Sequence, residues 1–277
     1  MNFDSIGDRM KSYENAYRIY FPRRLPIIVR IDGRAFHTFT RGFVKPFDDV
    51  FRKSMQDTAK ALCESVAGCK LAYVQSDEIS LLVTNDDTTE TQPWFDNVLC
   101  KVVSITASTA TLAFDTAFEK HLDSWGEDNF PGWENGGTDR KINEDYLTQL
   151  KSYGKSRHTA TFDSRAFIIP VNEVANYFIW RQQDAVRNSI QMVAQSLYSH
   201  RELQGKNSAE LQEMIFQKGI NWNDYPVECK RGACIVRTVE EINGAVRHKW
   251  KIDTNIPTFT KNRGYIERSL MYEEGHQ

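Results

Sequence analysis

The chain has 277 residues, 40% of them hydrophobic and 26% charged, enough for one large domain or two small ones with a proper core. Its formal net charge of −2 carries no global signature of a nucleic-acid binder, so a polynucleotide partner must be held by local clusters. No apolar run reaches the roughly 20 residues of a membrane helix, and the five cysteines form no C-x-x-C pair; a cytoplasmic protein without disulfides or structural zinc is the expectation.

In chain order, the first 20 residues predict an amphipathic helix, with Met10, Tyr13, Tyr17 and Tyr20 at helical spacing, closed by Pro22 and Pro26. Ile27 to Ile31 is β-branched and predicts a strand, with Asp32 and Gly33 at its end. "GFVKPFDD" is a loop whose Asp48 N-caps a helix over Asp49 to Val66. "KLAYVQSDEISLLV" reads as a hairpin with Ser76, Asp77 and Glu78 at its tip. Trp94 to Phe118 is helical, and residues 119–160, rich in Gly, Asp and Asn, predict an irregular insertion. "SRAFIIP" returns as a strand. Asn172 to Tyr198 and Ser208 to Phe216 are helices, Gly232 to Val239 is a strand, and the tail is less regular.

The order strand-helix-strand-strand-helix-strand predicts an α+β fold, a ferredoxin-like βαββαβ antiparallel sheet of the polymerase-palm kind. Helices would cover one face, and a helical C-terminal region would follow. The implied division is residues 1–170 as the palm and 171–277 as a region packed on it. In that topology the first strand lies beside the hairpin, so Asp32 and Asp77 approach each other. Two carboxylates at one sheet end either close their own turns or share a divalent cation, and magnesium suits a place that also receives phosphates.

"RIDGRAFHTF", "KP", "YVQSDEISLLV", "FDSRAFIIP", "YFIWRQQDA", "LQGK" and "GIN.N" resemble, in order, the tRNA-His guanylyltransferase family, whose members add nucleotides to a 5′ end in the 3′-to-5′ direction. The resemblance implies two magnesium ions on Asp32, the backbone of Gly33, and Asp77, with Glu78 in a supporting catalytic role. It implies ATP, GTP or other nucleoside triphosphates bound by Asp32, Gly33, Arg34, Ala35, Phe36, His37, Lys45, Ser76, Asp77 and Lys101. It further implies tRNA as partner and a homotetramer. Where the family often carries an arginine three residues before Lys101, this chain has Val98.

Enzymes dedicated to the extra guanosine of histidine tRNA carry H-I-N-N-L-Y-N after the W-R-Q-x-D segment; here Val186 to Met192 matches only at Asn188. That resembles the guanylyltransferase-like branch, which completes truncated tRNA 5′ ends against the opposite strand. Strict histidine-tRNA guanosine addition is the alternative, with a nucleotide cyclase and a non-catalytic RNA binder as rivals outside the activity. Arg30, on the same strand face as Asp32, reaches either phosphate or a cross-strand acid. For RNA contact, Lys151, Lys155 and Arg157 of "KSYGKSRH" are candidates, with Arg181, Arg187 and Asn188 of the long helix; Lys206, Lys230 and Arg231 add basic positions.

Overall fold

The computed structural model describes residues 5–129, 144–242 and 245–270. Ten helices within them are α1 (Ile6–Asn15), α2 (Phe36–Phe39), α3 (Asp49–Ser65), α4 (Leu99–Asn129), α5 (Glu144–Ser156), α6 (Val174–Leu197), α7 (His200–Leu203), α8 (Ser208–Gln217), α9 (Val227–Arg231) and α10 (Gly264–Glu267). Six strands, β1 (Ile27–Gly33), β2 (Cys69–Gln75), β3 (Glu78–Val83), β4 (Phe162–Ile168), β5 (Ala233–Ile242) and β6 (Ala245–Asp253), form one antiparallel sheet in the order β4-β1-β3-β2-β5-β6. The first four strands reproduce the expected βαββαβ arrangement, and β5 and β6, from the C-terminal region, extend the same sheet.

Strand alternation explains the layers. Ile27, Val29 and Ile31 of β1 point into the cluster beneath α3 and α4, where Phe36, Phe39, Phe43, Phe114 and Phe118 pack ring on ring. Ile28 points the other way, onto Val174 and Phe178 of α6. The sheet's second face is therefore covered by the C-terminal helix, with Ser80 bonded to Tyr177 at 2.8 Å in the interface. Arg30 and Asp32 share the parity of Ile28 and so face the α6 side.

Three local expectations change. Helix α1 stops at Asn15, leaving Tyr17 and Tyr20 beyond it, and buries none of its residues, so nothing in the core extends it. Trp94 to Asn97 is a 3₁₀ turn with Phe95 and Asp96 in the left-handed region, and the long helix starts only at Leu99. The insertion predicted over 119–160 is mostly helix where it is described: α4 runs on to Asn129 because Phe118 and Leu122 bury at i, i+4 spacing, α5 covers Glu144–Ser156, and only 157–160 form a turn before β4. The remainder of that prediction, 130–143, lies outside the described residues. The tail also holds a nine-residue strand, β6; the Asn243-Gly244 dipeptide between Ile242 and Ala245 is a hairpin signal that marks it.

Candidate active site

Strand β1 runs out at Asp32 and Gly33 beside the hairpin tip of β2 and β3. Asp32 is in register with Glu78 on β3 and with Asp163 on β4, and the Gly33 N–H donates to the Asp77 carbonyl at 3.0 Å. Ser76 holds the two-residue tip at a positive φ of 49°. This backbone clamp brings the two predicted carboxylates to one end of the sheet. Burial pushes the Asp77 carboxyl above the ordinary aspartate value and the Asp32 charge adds to that; its own backbone N–H, Ser76 and His37 oppose the rise. A raised carboxyl beside a second carboxylate is what an added cation would relieve.

Among the described residues no three His, Cys, Asp or Glu side chains converge as a metal cage. The site is a two-carboxylate one, which fits magnesium, an ion that fills its remaining positions with water and substrate phosphate. Asp32 and Asp77, with the Gly33 carbonyl, are the groups available to hold it.

Glu78 has a different partner. Its carboxylate takes Arg181 Nε at 2.7 Å and Nη2 at 2.8 Å, both residues being buried, so its oxygens turn away from Asp77 and toward α6. Arg181 continues to Asp184 at 3.0 Å, and Asp184 accepts Arg187 at 2.6 Å. Glu78 thus supports the hairpin from behind.

A cavity of about 570 Å³ opens beside Asp77, while Asp32 lies outside its lining. His37, Lys45, Ser76 and Asp77 line it as expected, together with Thr40, Arg41, Asp48, Met192 and Gln195. Asp48 caps α3 through the Phe51 N–H at 2.9 Å and also accepts the Val44 N–H at 2.9 Å and the Tyr153 hydroxyl at 2.7 Å. That ties the 40–46 loop, and with it Lys45, to the core. A slot lined by Asn188, Gln56 and Arg52 adjoins the cavity, sharing Asp48, Phe51, Ser76 and Met192 with it.

Several predicted residues have other work. Gly33 must be small for Phe36: a Cβ there would lie 2.4 Å from the Phe36 ring. The Phe36 side chain is 3% exposed within the aromatic core, so its segment can meet a nucleotide chiefly through Arg34, Ala35 and His37, which are exposed. Ala35 stands in the left-handed region at φ 55°. Lys101 is in the first turns of α4, its ammonium over the Phe95 ring at 5.8 Å. Thr111 of the same helix accepts the N–H of Phe162, the residue in register with Gly33. Thr106, bonded to Ser164 opposite Ile31, and Thr111 bracket the level of Asp32, so Lys101 is roughly 8–15 Å back along α4 and it does not line the cavity.

The RNA candidates divide. Lys151 and Lys155 are exposed on α5. Arg157 is engaged by Glu119, with Nε–Oε1 at 2.8 Å, and Arg187 by Asp184. Arg181, 6% exposed, is spent inside the protein on Glu78 and Asp184, so RNA cannot reach it. Lys230 is likewise buried, bonded to the Asn223 carbonyl and set over the Trp222 ring. Arg30 is half-buried opposite Ser80 and Arg165, and among the described residues its Nε has no hydrogen-bond partner. Sequence reasoning missed Thr40, Arg41, Met192 and Gln195 as cavity lining: the first two sit in a plain loop, and the others fall past the W-R-Q-x-D segment, where only their helical spacing from Asn188 links them to the site.

Known proteins resemble this chain over most of its length. The chain is 43% identical to a bacterial tRNA(His) guanylyltransferase (Thg1)-like protein solved in complex with ATP, which covers 96% of this chain and 99% of that one at a TM-score of 0.77. A structure of a bacterial Thg1-like protein with GTP matches at 43% identity, over 96% and 99% of the two chains, with a TM-score of 0.75. Among curated sequences, the tRNA(His) guanylyltransferase of Schizosaccharomyces pombe is 29% identical over 82% of this chain and 78% of its own length. Residues 7–170 match the Thg1 model, described as tRNAHis guanylyltransferase, and on that match the chain belongs to the tRNAHis guanylyltransferase family of nucleotidyltransferases.

Proposed function

We propose that this chain completes tRNA 5′ ends by template-dependent 3′-to-5′ nucleotide addition. The observation that carries the reading is the meeting of Asp32 and Asp77 at one sheet end, where Asp77 lines a cavity that also presents Lys45 and His37. The ATP and GTP complexes of the bacterial Thg1-like proteins support nucleoside triphosphates as its substrates. The absence of the H-I-N-N-L-Y-N signature at Val186 to Met192 favours repair over strict guanosine addition to histidine tRNA. A homotetramer and a cytoplasmic setting belong to the same reading. No helix among the described residues is long and apolar enough to cross a membrane.

Two transfers make up the reaction. An oxygen of the tRNA 5′-monophosphate attacks the α-phosphate of ATP, forming a phosphoanhydride and releasing pyrophosphate. The 3′-hydroxyl of the incoming nucleotide then attacks the activated 5′ phosphate, loses its proton, and AMP departs. Two magnesium ions on Asp32, Gly33 and Asp77 would supply charge neutralisation and a more acidic attacking hydroxyl. Lys45, anchored through the Asp48-capped loop, holds the triphosphate as a point charge. Glu78, fixed by Arg181, keeps Asp77 aimed at the reacting phosphates, so positioning is the protein's main contribution.

The test uses a tRNA lacking its first 5′ nucleotide beside full-length histidine tRNA, each labelled at the 5′ phosphate, with magnesium, ATP and the four nucleotides. Addition of the nucleotide complementary to the opposite strand, favoured on the truncated RNA, is the expected result. Guanosine addition to full-length histidine tRNA alone would reverse the choice of branch. No addition to either would remove the activity.

A further inference from the structure

A second groove runs along α6 next to the cavity. About 170 Å³ in volume, it is lined by Gln191, Gln195, His200, Leu203, Gln204, Lys206 and Leu211. Its floor is apolar: Leu211 is buried in the cluster of Ile190, Val193, Ala194 and Ile215, and Leu203 packs against it. Its walls are three solvent-exposed amides and the exposed His200 imidazole. Gln191 and Gln195 lie one helical turn apart on α6, and Gln204 faces them from the "LQGK" loop, where Gly205 turns the chain at a φ of +77°. Among the described residues none of the three side-chain amides has a hydrogen-bond partner, and the groove has no carboxylate in its lining. Lys206, at the rim, reaches Glu210 at 3.4 Å, an exposed pair that holds its cation only weakly.

Amides offering both donor and acceptor, over an apolar floor and beside an ammonium, match the edge, the face and the phosphate of a nucleotide. Gln195 lines the catalytic cavity as well, so the two spaces adjoin along α6. We infer that this groove takes a nucleotide unit of the RNA strand while the cavity holds the reacting phosphates. The inference rests on the reading that the chain acts on RNA. A free second nucleoside triphosphate has the same chemistry, and the experiment separates the two.

Gln191 and Gln204 touch the groove but not the cavity, so the probe is the Gln191→Ala/Gln204→Ala double variant. Fluorescence anisotropy measures its affinity for a labelled tRNA lacking the first 5′ nucleotide, and calorimetry its affinity and stoichiometry for ATP. Loss of two hydrogen bonds should weaken tRNA binding roughly 10-fold and leave ATP binding unchanged. The Gln191→Glu/Gln204→Glu variant keeps shape and adds two negative charges; it should weaken tRNA further, and more at low salt. Unchanged tRNA affinity in both variants overturns the inference, and so does loss of an ATP equivalent with tRNA affinity intact, which would assign the groove to a mononucleotide. A wild-type protein that binds no tRNA fells the RNA reading itself, a failure visible before any variant is compared.

Discussion

Glu78 and Arg181, 103 residues apart in sequence, form a buried two-point ion pair at 2.7 and 2.8 Å that fastens the β2–β3 hairpin to α6. The pair is next to Asp77 in the chain, so it links the helix covering the second sheet face to the position of the carboxylate proposed to hold magnesium. Truncating one partner strands the other charge away from water. Arg181→Ala should cost about 3–5 kcal/mol of stability, seen as a fall in urea midpoint. A loss of tRNA affinity without a loss of stability would instead make Arg181 an RNA contact.

Asp77→Asn tests the carboxylate itself. Burial already disfavours its charge, so the amide should leave the melting temperature unchanged or higher. Nucleotide addition should nevertheless fall by at least ~100-fold, because the paired acid is needed to hold the cation. Normal magnesium-dependent addition by the folded variant would refute the assignment.

Lys45 and Lys101 were both expected at the triphosphate, and the fold separates them. Lys45→Ala should weaken ATP binding by about 10-fold, whereas Lys101→Ala should leave it within about two-fold, measured by calorimetry. An equal loss in both would mean that Lys101 acts from a neighbouring copy of the chain.

Gly33→Ala should be harmful for a packing reason. The new methyl would press on the Phe36 ring at 2.4 Å, and displacing that ring disturbs its contacts with Phe39, Phe114 and Phe162. A cost of about 1–3 kcal/mol is expected. Thermal unfolding checks it, at about 2–4 °C per kcal/mol for a chain of this size.

Acid should loosen the contact between α3 and α4. Burial pushes the Asp57 carboxyl up, but hydrogen bonds from Lys120 at 3.0 Å and His121 at 2.9 Å prevail and hold it below the ordinary aspartate value. A depressed carboxyl contributes stability above its unfolded pKa of about 3.9, and that contribution fades as pH falls through the lower folded value. Asp57→Asn should therefore lower stability at neutral pH by about 1 kcal/mol and flatten the fall below pH 4. Parallel acid curves for the variant and the wild type would remove the group from the transition.

Local pattern determined a good deal of this protein. β-Branching announced β1, two apolar runs around a polar tip announced the β2–β3 hairpin, the 3.6-residue period announced α3, and element order alone placed Asp32 beside Asp77. These features depend on neighbours in sequence or on a short menu of topologies. Tertiary structure decided the rest, because it depended on which side chain another element presents. Arg181 looked free to meet RNA until α6 lay across the sheet and put Glu78 against it. Gly33 carried no sign in the sequence that the Phe36 ring folds back onto it. The glutamines of α6 carried no motif, and only the approach of the α7–α8 loop makes them the wall of a groove. Burial and pairing across a hundred residues are set by packing, which no local spacing encodes.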